Sequence, residues 1–334
     1  MGVDFTSIDF ETANGFRGSP CSVGLSKVRD GRIVEEASWL MRPPEGHDFF
    51  DRRNTGIHGI EDAMVAGKPR FGELFPEIGA FIGQDLLVAH NAAFDLGVIR
   101  SALEVSGLPG PAYDYACTVM LSRRTYSLPS HSLPFVAEAA GVPLEKHHDA
   151  TADARACAGI MIDVIRRSGA TELAEFFALQ NMLPNHAPAY RPGIDPLSKA
   201  TRDALERGTG TAKTAGSWNS WPSEGVNPPP NPAAQPGHPL FGQTVVFTGN
   251  LGMPRQQAKD RAAELGARPA SAVTRSTTVL VVGDGFEAGD LRNGRVTGKA
   301  RRVLDLHERG QRIEVLSEAE FLQMIGGTWP LGSQ

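Results

Sequence analysis

Between Pro184 and Pro239 the chain changes character, and that change constrains everything on either side of it. The stretch holds Pro228-Pro229-Pro230, Pro232 and Pro236 among many Gly and Ser, with few large aliphatic residues. Such a segment cannot bury enough apolar surface to offset its ordering entropy. On both sides apolar residues recur at helical or alternating spacing. The sequence therefore reads as two folding units on a disordered tether, with units over 1–168 and 239–328 and the tether over 169–238. The length of 334 residues suits two domains better than one. Leu197 to Arg207 reads as a short helix within the tether. Trp218 and Trp221 read as exposed aromatics or a small docking segment. About 50 residues of such chain let the units move on the order of tens of Å, so they are expected to behave independently.

Composition excludes several classes. The three cysteines, Cys21, Cys117 and Cys157, are scattered, which argues against a disulfide framework or a zinc site and suits a reducing cytoplasm. No apolar run approaches the roughly 20 residues that span a bilayer, so no membrane partner is expected. Net charge is −5, but it is unevenly spread: residues 1–168 carry 16 basic against 22 acidic side chains, and residues 239–334 carry 12 against 10. Bound cations would cancel part of the acidic excess of the first unit.

That unit opens with Val3 to Ile8, a β-branched and aromatic run that predicts a strand continuing into Asp9-Phe10-Glu11-Thr12. Cys21 to Val28 and Ile33 to Met41 alternate around Asp30-Gly31, a hairpin signal. Phe71 to Ile82 has helical apolar spacing, Leu86 to Ala89 reads as a buried strand, and His90-Asn91-Ala92-Ala93-Phe94-Asp95 leads into an amphipathic helix. After the apolar helix Leu133–Ala140 comes His147-His148-Asp149-Ala150-Thr151-Ala152-Asp153. The helix beyond it carries Ala150, Ala154, Cys157, Ala158, Met161 and Ile165 as one stripe.

Side chains alternate faces along a strand, so Asp9 and Glu11 share one side and Phe10 takes the other. Two carboxylates in one small volume repel, and a hard divalent cation between them removes the conflict. Asp95 on its own reads as a helix N-cap, Asp153 as a first-turn acid favoured by the helix dipole, and His148 as a surface histidine.

Together these residues resemble, in order and spacing, the DEDDh family of 3′→5′ exonucleases over about residues 3–167. Asp9-Phe10-Glu11-Thr12 resembles the first family motif, His90 to Asp95 the second, and His148 with Asp153 the third. Ile57-His58-Gly59-Ile60 resembles a loop such enzymes carry. Cys117-Thr118 departs from the Asp-Thr of many relatives at a position that is not catalytic in the family. The resemblance implies an α/β, RNase H-like fold with a mixed five-stranded sheet covered by helices. It also implies two Mg2+ or Mn2+ ions. Asp9 would bridge them, Glu11 and Asp153 would complete the first site, and Asp95 would hold the second through water. His148 would take the proton from the attacking water. Phe10, Thr12, Ile57, His58, Asn91 and Phe94 are the candidate substrate contacts, although core packing is the alternative for Ile57 and Phe94.

In the second unit Thr244 to Gly249, Thr278 to Val282 and Ile313 to Leu316 read as strands, and Arg255 to Leu265 and Thr297 to Glu308 as helices. A capping box, Ser317 with Glu320, opens the last helix. Strands alternating with helices predict a small parallel α/β sheet. Val246-Phe247-Thr248-Gly249 and Ile313 to Leu322 resemble a BRCT domain, especially that of bacterial NAD-dependent DNA ligases. The tryptophan common in the last helix of that family is absent, and Phe321 is the candidate to fill its place. Thr248, Gly249 and Lys299 match the family's phosphate-binding positions, with Thr297 nearby. Arg292, Arg295, Arg301 and Arg302 cluster around them, which favours a DNA end or a phosphorylated protein as ligand.

The expectation is a DNA 3′→5′ exonuclease in repair or proofreading, recruited through its BRCT domain to DNA, a polymerase or a repair partner. The alternatives are a BRCT scaffold with an inert nuclease fold and an enzyme acting on RNA.

Overall fold

The computed structural model describes residues 2–128, 130–207, 224–234, 238–249, 251, 253–283 and 297–326. Trp218, Trp221, Arg292 and Arg295 lie outside the described residues, as do residues 208–223 and 235–237 of the stretch expected to be tether. The chain divides into two compact units.

In the first unit, β1 (Phe5–Thr12), β2 (Pro20–Arg29) and β3 (Arg32–Leu40) form an antiparallel meander. Its β2–β3 turn is Asp30-Gly31, with φ of 47° and 69°. Two consecutive positive φ values twist the hairpin in the sense that right-handed strands need. The next elements are α1 (Arg52–His58), α2 (Asp62–Val65), α3 (Phe71–Ile82), β4 (Leu86–Ala89) and α4 (Ala93–Ser106). Then come β5 (Tyr113–Cys117), α5 (Thr118–Thr125), α6 (Leu133–Ala140), α7 (Ala150–Ser168), α8 (Leu173–Leu179), β6 (Asn185–Ala187) and α9 (Lys199–Arg207).

The sheet has the order β3-β2-β1-β4-β5-β6, with β4 parallel to β1 and β5, and β6 antiparallel to β5. It is the expected mixed RNase H-like sheet, but it has six strands rather than five. The sixth comes from the stretch expected to be tether. Three residues beside a proline show no alternation to read; the partner β5 supplies the ladder that orders them. Residues further on are held too. Tyr190 is buried with the Arg100 guanidinium 4.1 Å from its ring centroid, and the Glu104 carboxylate accepts from the Ser198 amide and hydroxyl, both at 2.7 Å. Residues 169–207 thus pack on the first unit instead of extending a linker.

Strand alternation places the layers. Ile8, Phe10, Val23 and Leu25 join Phe71, Leu74, Ile78 and Ile82 of α3 and Val98, Ile99 and Ala102 of α4 in one core. The opposite face of β1 and β2 meets α7, which buries Ala154, Cys157, Met161 and Ile165. Met161 and Ile165 each contribute about 1.5–3 kcal/mol on burial, which anchors α7 firmly to the sheet.

The second unit contains β7 (Thr244–Thr248), α10 (Arg255–Glu264), β8 (Arg268–Ala270), β9 (Val279–Val282), α11 (Gly298–Glu308), β10 (Glu314–Ser317) and α12 (Glu318–Gly326). All strands are parallel, in the order β10-β9-β7-β8. Val245 and Phe247 face α10 and α12, and Val246 faces Val303 and Leu306 of α11. Phe321 fills the expected core position edge-on to Phe247, with centroids 5.0 Å apart. The Ser317–Glu320 capping box forms, with bonds of 2.6 and 3.2 Å. The proline-bearing residues 224–234 lie along α10: Asn231 donates to Ala263 O at 2.8 Å, and the Val226 amide to Gln256 Oε1 at 2.7 Å. Among the described residues no helix is long and apolar enough to cross a membrane.

Candidate active site

The site begins with a glycine. Gly24 on β2 pairs with Asp9 on β1. A Cβ at Gly24 would stand 2.2 Å from Ala150 O and 2.4 Å from Thr151 N, so only glycine lets the first turn of α7 touch the sheet there. Asp149 caps that helix, accepting from the Ala152 amide at 3.2 Å, and the Ser7 hydroxyl donates to Ala154 O at 2.7 Å. Asp153, less than one turn beyond Ala150, is thereby delivered to Asp9 and Glu11. Oxygens of these three carboxylates lie within 4.8 Å of one another.

Asp95 arrives from the first turn of α4. It is not an N-cap: Ala92 holds that position without a side-chain bond. Instead Asp95 Oδ1 accepts the Phe10 amide at 3.0 Å, the peptide N–H between Asp9 and Glu11. Four acids remote in sequence therefore meet at the end of β1.

Their electrostatics are unfavourable as they stand. Burial, then repulsion from Asp95, Asp153 and Glu11, holds Asp9 well above the usual carboxylate range. Burial, then Asp153 and Asp95, does the same to Glu11. Burial raises Asp95 to about 8 against the opposing Phe10 amide and the Arg17 charge, and raises Asp153 to about 7 against the His148 amide. Asp153 Oδ1 is buried and, among the described residues, has no hydrogen-bond donor. An all-oxygen cluster with an orphaned carboxylate oxygen and mutually raised pKa values fits hard divalent cations.

Beside the acids stands a histidine pair. The His148 amide donates to Asp153 Oδ2 at 2.9 Å, and its φ of +68° is one that non-glycine residues rarely adopt. The His147 ring stacks on it at 3.7 Å, with Nε2 3.9 Å from Asp153 Oδ2. Burial, then the neighbouring His58, pushes His148 down to about 4; burial, then His148, pushes His147 down to about 3. Both imidazoles are neutral at pH 7.

The expected substrate contacts divide. Phe10 has its ring in the core, 3% exposed, because it alternates away from Asp9; only its backbone faces the site. Thr12 is buried, and its carbonyl accepts from Asn54 Nδ2 at 2.9 Å and His58 Nε2 at 3.2 Å. His58 Nδ1 accepts the Ile60 amide, which assigns the proton to Nε2. Ile57, in the same helix, is partly exposed. Asn91 takes a φ of 80° in the turn into α4 and accepts the Phe94 amide at 2.9 Å. Phe94 packs partly on the core beneath the Arg17 guanidinium, 5.9 Å away. Cys117 ends β5, and the adjacent Thr118 hydroxyl bonds His90 Nδ1 at 2.9 Å.

In the second unit the Thr248 and Thr297 hydroxyls bond at 2.9 Å, Gly249 has a φ of +74°, and Lys299 Nζ donates to Phe247 O at 3.1 Å and to Glu224 Oε1 at 2.6 Å. The three expected phosphate positions thus sit together, with an acid against the lysine.

Sequence reasoning passed over Gly24, Arg17 and Glu224 and gave His147 no role. A glycine inside the alternating run Cys21–Val28 was the one legible signal, since such a glycine marks a close backbone approach. The others show no spacing to read.

A mixed sheet carrying a four-acid cluster beside histidines, followed by a small parallel α/β unit, defines a nuclease joined to a binding domain. Residues 6–161 match the Exonuclease (RNase_T) family model and residues 236–325 the BRCT (BRCA1 C Terminus) model. The chain thus carries an exonuclease domain followed by a BRCT domain.

DNA polymerase III PolC-type of Clostridium perfringens is 38% identical over 142 residues, 42% of this chain and 9% of the relative. The PolC-type polymerase of Thermotoga petrophila is 31% identical over 185 residues, 54% of this chain and 13% of the relative. The chain therefore spans only about a tenth of these curated relatives. Among solved structures, exonuclease X in complex with 5′ overhanging duplex DNA is 30% identical, covering 50% of this chain and 94% of that one with a TM-score of 0.42.

Proposed function

We propose that the protein is a divalent-metal-dependent 3′→5′ exonuclease acting on DNA, and that its BRCT domain brings it to DNA ends or to a replication or repair partner. The observation that carries this reading is the convergence of Asp9, Glu11 and Asp153 oxygens within 4.8 Å, with Asp95 bonded to the amide between the first two. The PolC-type relatives and the BRCT domain support DNA over RNA as the substrate.

Asp9, Glu11, Asp95 and Asp153 would hold two Mg2+ or Mn2+ ions, which supply neutralisation of charge on the phosphorus oxygens and on the departing 3′ oxygen. The chain's own residues do the rest. His148, neutral at pH 7, accepts a proton from the attacking water. An approaching phosphate raises its basicity, because a nearby anion favours the imidazolium. The water oxygen bonds to phosphorus as the P–O3′ bond breaks, and the departing 3′ oxygen takes a proton from solvent. The products are a nucleoside 5′-monophosphate and a strand one nucleotide shorter with a free 3′ hydroxyl. Phe94 and Ile57 would contact the terminal nucleotide, and Thr12, His58 and Asn91 would shape the wall around it. The backbone of Phe10, rather than its ring, can contribute.

The test is release of labelled mononucleotide from 3′-labelled DNA and RNA of one sequence, with Mg2+ and with EDTA, using Asp153→Asn as control. Equal, metal-independent turnover by wild type and variant would refute the reading. No turnover by the wild type would leave a BRCT scaffold, and preference for RNA would reassign the substrate.

A further inference from the structure

Glu224 stands where the BRCT unit was expected to bind phosphate. Its carboxylate meets Lys299 Nζ at 2.6 Å, Arg255 Nη1 at 3.4 Å and Lys259 Nζ at 3.8 Å. The Arg255 side chain is 8% exposed and that of Lys259 is fully buried, so these cations belong to the fold and are not a solvated surface patch. Three positive groups facing one carboxylate leave charge uncompensated, and Arg255 Nε is buried without an acceptor among the described residues. Burial alone would raise Glu224, but the Lys299 hydrogen bond and the charges of Lys299, Arg255 and Lys259 outweigh it and hold the carboxyl below its ordinary range. A dianionic phosphate, with three acceptor oxygens, complements such a cluster better than a carboxylate does.

The segment that delivers Glu224 also shows what kind of ligand fits. Gln256 clamps the Val226 peptide on both sides, accepting its amide at 2.7 Å and donating to its carbonyl at 3.1 Å. Lys259 Nζ bonds Glu224 O and, at 2.8 Å, Asn227 Oδ1. A stretch of peptide backbone is therefore already held beside the cations.

We propose that Glu224 is an internal occupant of this anion site, so that a phosphorylated peptide binds the BRCT unit only by displacing the Glu224 carboxylate and the 224–227 segment behind it. Loading the site then frees the chain that precedes the domain. The inference goes beyond the nuclease reading, and its test is run in EDTA, so the two fail separately.

The full-length wild type and Glu224→Gln are titrated calorimetrically with inorganic phosphate, a phosphoserine peptide, the same peptide unphosphorylated and a 5′-phosphorylated DNA duplex. Glu224→Gln is expected to bind phosphate and phosphopeptide about 5–150-fold more tightly than wild type, the usual span of a coupling between two sites. Lys299→Met in that background removes the gain. In wild type, saturating phosphopeptide is expected to speed proteolytic cleavage near residues 224–227. Equal affinity in the two proteins, or binding by neither, overturns the proposal. A duplex that binds Glu224→Gln more tightly than the phosphopeptide overturns the choice of ligand. Should Glu224→Gln fail to fold, the wild-type cleavage pattern decides alone.

Discussion

Replacing Asp95 with Asn should make the metal-free protein more stable while destroying its function. Asp95 is 2% exposed and its pKa is raised to about 8. In the unfolded chain an aspartate titrates near 3.9. At pH 7 the folded protein therefore keeps a proton that the unfolded chain has already released about three units lower, which costs folding on the order of 4 kcal/mol at about 1.4 kcal/mol per unit. Asn cannot ionise and escapes this cost. Its Oδ1 still accepts the Phe10 amide, as the neutral carboxyl of Asp95 does at pH 7. A gain on the order of 4 kcal/mol corresponds to a Tm higher by roughly 8–16 °C for a unit of this size. Because the folded pKa lies above the unfolded one, Asp95 costs nothing below about pH 4 and its full penalty only above pH 8. The difference between variant and wild type should therefore vanish at pH 4 and grow steadily to pH 8. Scanning calorimetry in EDTA across that range measures it. Saturating Mg2+ should reverse the order, stabilising wild type more than Asp95→Asn. A variant less stable than wild type in EDTA at pH 7, or a difference independent of pH, would refute the argument that these acids are held against their own repulsion.

His148→Gln should retain Mn2+ affinity by titration calorimetry yet lose at least about a hundredfold in turnover, the scale expected of a general base; unchanged turnover would remove His148 from the chemistry. Gly24→Ala forces a Cβ into the backbone of α7, so it should move Asp153 and cost about a hundredfold or more in activity with the circular dichroism of the fold retained. Asp95 and Asp153 hold protons up to about pH 8 and 7, so Mn2+ affinity should fall as pH drops below those values, by up to about a hundredfold per unit below pH 7; a flat profile would contradict proton release on binding.

Much of this molecule is legible without coordinates, because local physics writes itself into short spans. The Asp30-Gly31 turn, the helix over Phe71–Ile82, the strand over Leu86–Ala89 and the Ser317–Glu320 cap all follow from spacing and turn chemistry within a few residues. So does the shared face of Asp9 and Glu11, since strand alternation has a period of two. The residues before 208 and after 223 take their order for the converse reason. β6, Tyr190 and the Ser198–Glu104 bonds owe their order to partners about 70 to 95 residues away, and segment 224–234 owes its order to α10. A proline-rich composition says only that a segment cannot order itself; it does not exclude being ordered by something else. Phe10 fell to the same alternation that located its neighbours, its ring turned inward because theirs turn out.

What only the tertiary structure decided is the meeting of the acids and the contact between Glu224 and Lys299. Asp153 reaches Asp9 because Gly24 has no side chain, Asp95 reaches both through the Phe10 amide, and Glu224 reaches Lys299 because Gln256 holds its segment down. Each depends on a contact between elements remote in the chain, and such contacts leave no periodicity behind: the sequence by itself determined which residues could take part, and packing determined which of them touch.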